Sequence, residues 1–250
     1  MKVTLCKNAV ELGVLASKQA TEVINKAIKK SGTARILLST GASQFTFFDA
    51  FVKEDINWDK VEMFHLDEYV GCDATHPASF KKYLTERFIN KVNLKNYHLI
   101  DGNTSPEETI SNLTKLLNEK QVDLGLIGIG ENGHIAFNDP PADFEDSNFY
   151  KVVNLSDTCK AQQIREGWFN SPDEVFNQAI SMTCSKIMDT KTIICAVPYK
   201  QKAQAVHDTL TQPINNNVPA TLLKKHDDVT VYIDQDSASL LDSQTLKNFS

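Results

Sequence analysis

Three short segments carry side chains that could do chemistry. Asp67-Glu68 closes the apolar run at residues 61–66. Adjacent acids in such a place are costly to bury unless paired or hydrogen-bonded, and a carboxylate held there acquires a raised pKa, which suits a general base. The plainer alternative is a pair of acids capping the next loop. Further on, Gly128-Ile129-Gly130-Glu131-Asn132-Gly133 leads into a loop presenting His134, Asn138 and Asp139. A histidine exchanges protons near neutrality and a neighbouring carboxylate fixes its tautomer, so His134 with Asp139 reads as an acid/base pair, against the alternative of a satisfied loop histidine. With no second histidine at ligand spacing, no metal is expected. The third segment, Ser39-Thr40-Gly41-Ala42-Ser43-Gln44, enters a helical pattern through Phe47, Phe48 and Phe51. Small residues entering a helix offer backbone N–H groups and hydroxyls to an anion; the competing reading is a turn with Ser43 as its N-cap.

The residues argue against two glycine-loop functions. The pattern G-x-G-x-x-G at residues 128–133 binds a dinucleotide only where a full helix opens at its third glycine, and Pro140-Pro141 leaves too little room for that helix. No Gly-Lys-Ser/Thr follows the first loop, which argues against an ATPase or GTPase. His76, before Pro77, reads as a loop hydrogen-bonder.

All three segments follow short apolar runs, and those runs set the architecture. Residues 35–39, 61–66, 123–128, 192–197 and 229–233 read as strands buried on both faces. Between them lie helical patterns. Asn8 with Glu11 starts an amphipathic helix that Ser31-Gly32 ends, and Ser105-Pro106-Glu107-Glu108 gives another start, with Ser105 as cap and Glu108 reaching back to it. Helices recurring between such strands predict an α/β, Rossmann-like fold: an open, mainly parallel sheet covered on both faces, as a single domain over residues 1–250. In such sheets ligands bind beyond the carboxyl ends of the strands, where the three segments fall. The less regular stretch 140–178 is a candidate flap, with a surface excursion as the alternative, and Trp168-Phe169 within it is expected in the core.

Composition narrows the function. The 250 residues carry 26 Lys+Arg against 32 Asp+Glu, a net charge of −6, with the cations dispersed. No nucleic-acid partner held by phosphate neutralisation is expected. Five scattered cysteines without a CxxC pair argue against a disulfide framework or structural zinc and for a reducing compartment. With no signal peptide and no apolar run approaching about 18 residues, a cytoplasmic protein without a membrane partner is expected.

Taken in order, the segments resemble the glucosamine-6-phosphate deaminase family. The resemblance rests on LSTGASQ at residues 38–44, FHLDEYVG at 64–71 with HPAS at 76–79, GIGENGHIAFNDP at 128–140, AISMT at 179–183 and the Lys202-Ala203 pair. It covers most of the chain. The related 6-phosphogluconolactonases share the fold, but would show Asp-Glu-Arg in place of Asp67-Glu68-Tyr69. The resemblance implies conversion of glucosamine 6-phosphate and water to fructose 6-phosphate and ammonia, without a cofactor. It makes Asp67 the base moving a proton between C2 and C1, His134 the ring-opening acid/base group, and Asp139 its supporting carboxylate. Thr40, Gly41, Ala42, Ser43 and Lys202 match phosphate-binding positions, Arg165 aligns near the usual phosphate-binding arginine, and Glu68 and Gly133 count among the substrate-binding positions.

The chain also departs from the family pattern. Asp139 replaces the usual glutamate, and a displacement of about 1 Å can lower a rate on the order of 100-fold. Asn132 stands where some members carry a catalytic aspartate. Ala42 replaces a common glycine and Gln44 a common proline. No regulation by an acetylated amino-sugar phosphate is expected. Alternative readings are another amino-sugar phosphate or a phosphogluconolactone as substrate, or a non-catalytic sugar-phosphate sensor. The family's range from monomers to hexamers leaves a homo-oligomer open.

Overall fold

A computed structural model describes residues 1–247. Its strands are β1 (Lys2–Cys6), β2 (Ala34–Leu38), β3 (Val61–His65), β4 (Asp67–Tyr69), β5 (Asn96–His98), β6 (Leu124–Ile127), β7 (Tyr150–Asn154), β8 (Gln178–Met182), β9 (Thr192–Val197) and β10 (Val229–Asp234). Seven of them form one sheet, all neighbours parallel, in the order β1-β10-β9-β6-β2-β3-β5. Four of the five runs read as doubly buried are so, every residue of β2, β6, β9 and β10 being buried, while in β3 Glu62 stays half-buried. Alternate side chains serve opposite faces. Ile36, Leu38, Met63 and Leu124 pack with helices Ala9–Ser31 and Phe45–Phe51, while Leu37, Phe64, Ile127 and Ile193 pack with helices Pro106–Glu119 and Ala203–Thr211. This is the expected mainly parallel α/β sheet covered on both faces.

The capping signals hold, with one change of partner. Asn8 accepts the N–H groups of Val10 and Glu11 at 3.0 Å, and Gly32 ends the first helix at φ 82°. Ser105 caps Pro106–Glu119, but Glu107 rather than Glu108 takes its hydroxyl, at 2.6 Å.

Local pattern did not announce a second, antiparallel sheet in the order β4-β8-β7. The strand expected at residues 61–66 ends at His65, and Leu66 hands the chain over. Its N–H donates to Leu38 O in the parallel sheet, while its own carbonyl accepts Met182 N–H from β8. Asp67-Glu68 therefore opens a new strand instead of capping a loop. A three-residue strand is too short to show periodicity, and its partner lies more than a hundred residues away in the chain. The edge strands β1 and β5 were likewise not expected.

The stretch 140–178 is structured. It holds β7, the helix Asp157–Arg165 and a short turn of helix at Pro172–Glu174. Phe169 is buried with Tyr69, Phe80, Phe137 and Val175, and Trp168 packs partly buried beside them. His76 accepts Ala78 N–H and stacks on Phe169, as a loop residue.

Candidate active site

The carboxyl ends of β2, β3 and β6 open into a cleft. Thr40, Gly41, Ser43, Asp67, His134 and Lys202 all line it. Two further cleft residues, Gly128 and Gly130, start the histidine loop.

Asp67 reaches the cleft because the chain changes sheets just before it. It pairs with Ser181 across β4–β8 and is only 7% exposed. Burial, and then the neighbouring Glu68 charge, push its carboxyl up to about 8. Glu68 does something else. Expected as a substrate contact, it is fully buried and does not line the cleft. Its Oε1 accepts Tyr69 N–H, and its Oε2 accepts the Ser79 hydroxyl and Lys81 N–H. Glu68 thus fastens the start of helix Phe80–Leu84 to β4, although burial still raises its carboxyl.

His134 is held through one ring nitrogen. Its Nδ1 lies 2.6 Å from Asn132 Oδ1 and 3.1 Å from Asp139 Oδ1. Both partners accept, so Nδ1 carries the hydrogen and Nε2 is left to exchange protons. Asn132 also donates Nδ2–H to Asp139 Oδ1 at 3.1 Å, and Ser156 donates its hydroxyl to Asp139 Oδ2 at 2.5 Å. Burial alone would raise the Asp139 carboxyl, but the bond and charge of His134, with the bonds from Ser156 and Asn132, outweigh it and hold it down to about 2. Asp139 and Asn132 are thus supports of the imidazole outside the cleft lining.

The glycines of this loop act sterically. A Cβ on Gly130 would stand 2.1–2.4 Å from three atoms of the His134 ring, so the glycine is what lets the imidazole sit where it does. Gly133, another expected contact, is a turn residue at φ 83° whose carbonyl accepts Ala220 N–H; it does not line the cleft. No helix opens at Gly133, consistent with setting aside a dinucleotide site. Asn138 is structural, donating to the carbonyls of Ile135 and Met182.

The small-residue loop turns at Gly41, φ 107°, into a short helical turn, Ala42–Gln44, that continues as Phe45–Phe51. Buried Gln44 ties it across the sheet to Ala196 O at 3.0 Å. Lys202 is 6% exposed, and among the described residues its ammonium has no protein partner. Burial lowers its pKa. Ala42 and Arg165 lie in an outer recess that shares Ser43, Glu166 and Lys202 with the cleft, and Arg165 is paired there with Glu131 at 2.5 Å.

Several contributors escaped the sequence reading. Ser181 accepts Phe137 N–H at 3.0 Å, tying the histidine loop to the strand beside Asp67. Ser156 caps the helix Asp157–Arg165 through Cys159 N–H while it holds Asp139. Gln162, Gln163 and Glu166 from this helix and its end form one cleft wall. Serine before a helix is a legible cap signal; the carboxylate it also binds is not. Among the described residues, no three His, Cys, Asp or Glu side chains cluster as a metal site would need.

A parallel α/β sheet whose strand ends gather a buried carboxylate, a carboxylate-held imidazole and an unpaired ammonium defines an enzyme class built for acid–base chemistry on a small anion. The chain belongs to the family described as glucosamine-6-phosphate isomerases/6-phosphogluconolactonase, which it matches over residues 7–232. It is 36% identical over 242 residues to a glucosamine-6-phosphate deaminase of Lactobacillus delbrueckii subsp. bulgaricus, covering 96% of this chain and 100% of that one. A glucosamine-6-phosphate deaminase of Listeria monocytogenes is 37% identical over 226 residues, 90% of this chain and 95% of the relative. Among solved structures, a monomeric glucosamine-6-phosphate deaminase superposes with a TM-score of 0.88 at 30% identity, covering 96% of this chain and 100% of that one. A 6-phosphogluconolactonase from Thermotoga maritima shares the fold, with a TM-score of 0.77 at 14% identity over 93% and 98% of the two chains.

Proposed function

We propose that this protein converts glucosamine 6-phosphate and water to fructose 6-phosphate and ammonia. The observation that carries the reading is the convergence of Asp67, His134 and Lys202 on one cleft. Lys202, with the backbone and hydroxyls of Thr40–Ser43, holds the phosphate. His134 Nε2, with Nδ1 fixed by Asp139 and Asn132, delivers a proton to the ring oxygen as the pyranose opens. Asp67 removes the C2 proton while the C1 carbonyl oxygen takes back, through His134, the proton its hydroxyl lost on ring opening, and the resulting enolamine then receives the Asp67 proton at C1. The C2 amine becomes an imine, water adds at C2, and ammonia leaves. A carboxylate whose pKa is pushed to about 8 is a stronger base than an ordinary one, which suits abstraction from carbon.

Tyr69 favours this substrate over a lactone. It is fully buried among Phe80, Phe137, Phe169 and Phe176, so no arginine enters the site from this position. In the same proposal the helix Asp157–Arg165 covers the bound sugar, and Arg165 exchanges Glu131 for the phosphate. The five cysteines are free and buried, which supports a reducing, cytoplasmic setting, and among the described residues no helix is long and apolar enough to cross a membrane.

The test is incubation with glucosamine 6-phosphate, following ammonia and fructose 6-phosphate. Tight binding without turnover would replace the reading with a sensor, and lactone hydrolysis without ammonia would replace it with a lactonase.

A further inference from the structure

The cover segment sets Gln162, Gln163 and Glu166 against the cleft. Two of the three are committed to the protein. Gln162 accepts Glu131 N–H through Oε1 at 3.2 Å and donates Nε2–H to Glu166 Oε1 at 2.8 Å. The other oxygen of Glu166 accepts Trp168 Nε1–H at 3.2 Å. Gln163 is different. It is 6% exposed and lines the cleft, yet among the described residues its side-chain amide has no partner. Its main-chain carbonyl accepts Trp168 N–H at 3.1 Å. The backbone is anchored while the polar head faces the cleft.

Among the described residues the Gln163 amide is not one of the sealed, unpaired polar atoms, so it stays open to the cleft and free to bond what occupies it. A bound ligand would supply the missing partner. A neutral amide offers two N–H donors and an acceptor oxygen, which matches hydroxyl groups better than it matches a phosphate. The proposed reading already assigns the phosphate to Lys202 and the Thr40–Ser43 loop, C1 and C2 to Asp67, and the ring oxygen to His134. The hydroxyls at C3 and C4 remain.

We propose that Gln163 is a specificity-determining residue whose side-chain amide hydrogen-bonds the C3 and C4 hydroxyls of the sugar. The inference rests on the substrate class proposed above. It places recognition of the sugar's middle carbons on the cover segment and reaction at its ends on the sheet.

The test measures kcat/KM of the wild type, Gln163→Leu and Gln162→Leu on glucosamine 6-phosphate and on its 3-deoxy and 4-deoxy analogues, with thermal melting as a check of folding. The wild type is expected to lose about 10–100-fold on at least one analogue. Gln163→Leu should lose a similar factor on the full sugar and should no longer distinguish the two. Gln162 shares the cleft wall but commits its amide to Glu131 and Glu166, so Gln162→Leu should melt earlier and lower activity on all three sugars alike, keeping the ratio between them. A Gln163→Leu enzyme that retains wild-type kcat/KM, or that still discriminates as the wild type does, overturns the inference. So does a wild type indifferent to both deoxy analogues. If Gln163→Leu fails to fold, Gln163→Glu keeps the length and loses the donors, and unchanged discrimination in that variant is equally decisive. Failure of the wild type to release ammonia from glucosamine 6-phosphate would remove both readings together, and it is distinguishable because it precedes any substitution.

Discussion

Asp139 lies 3.1 Å from His134 Nδ1, within reach of the imidazole, although the resembling family usually places the longer glutamate there. A tight turn closes the distance: Ile135 and Asn138 bridge, and Asn138 is pinned to Ile135 O and Met182 O immediately before the aspartate. Ser156 then fixes the second carboxylate oxygen.

The fit should make the shorter acid the better one in this chain. Asp139→Glu is expected to lower kcat, since an added methylene has to displace bonds of 2.5 and 3.1 Å. Asp139→Asn should lose about 10²–10⁴-fold by freeing the imidazole tautomer. Ammonia release under saturating substrate measures both, and a faster glutamate variant would contradict the steric account.

Asp67 should govern the acidic limb of the pH profile. With its carboxyl pushed up to about 8 by burial and by Glu68, the basic form grows as pH rises, so kcat/KM should climb through neutrality and level off above about 8. A limb midpoint at the ordinary carboxylate value, near 4, would remove Asp67 from the role of base.

The same shift acts on stability with the opposite sign. The folded protein holds the Asp67 proton that the unfolded chain gives up above its own carboxylate pKa, so stability is lost as pH rises from about 4 through about 8. Asp67→Asn should therefore abolish C2 proton exchange while raising the melting temperature at pH 8 more than at pH 4, at about 2–4 °C per kcal/mol for a chain of this size. Calorimetry at the two pH values, beside exchange with deuterated solvent, checks both halves.

Lys202→Ala should weaken binding of the phosphorylated sugar by about 10–100-fold, as expected for loss of a charge-assisted bond, with little change for the unphosphorylated amino sugar. Titration calorimetry with the two ligands separates the cases. Equal losses would mean that Lys202 does not read the phosphate.

Gly130→Ala should displace the imidazole and lower kcat about 100-fold or more in a folded protein, because its Cβ would meet the His134 ring at 2.1–2.4 Å. Gly128→Ala should cost far less, since its nearest obstacle is the Gln44 side-chain amide at 3.0 Å. Reversal of that order would show that ring placement does not depend on the glycine.

The parallel sheet, the place of the cleft at its strand ends and the three segments that meet there were all legible in the residue order. Continuous apolar runs, cap residues and breakers are local signals of local backbone, and such a sheet fixes where a ligand sits. The pairing of His134 with Asp139 was legible as well, but which of the other polar side chains face the cleft was decided by the fold. Glu68 became a tether and Asp67 a cleft carboxylate because β4 pairs with β8 across the chain. Gln162 is spent on Glu131 and Glu166, while its neighbour Gln163 keeps its amide free. Whether a buried polar group is satisfied depends on partners brought to within about 3 Å by the fold, and no spacing along the chain encodes that distance.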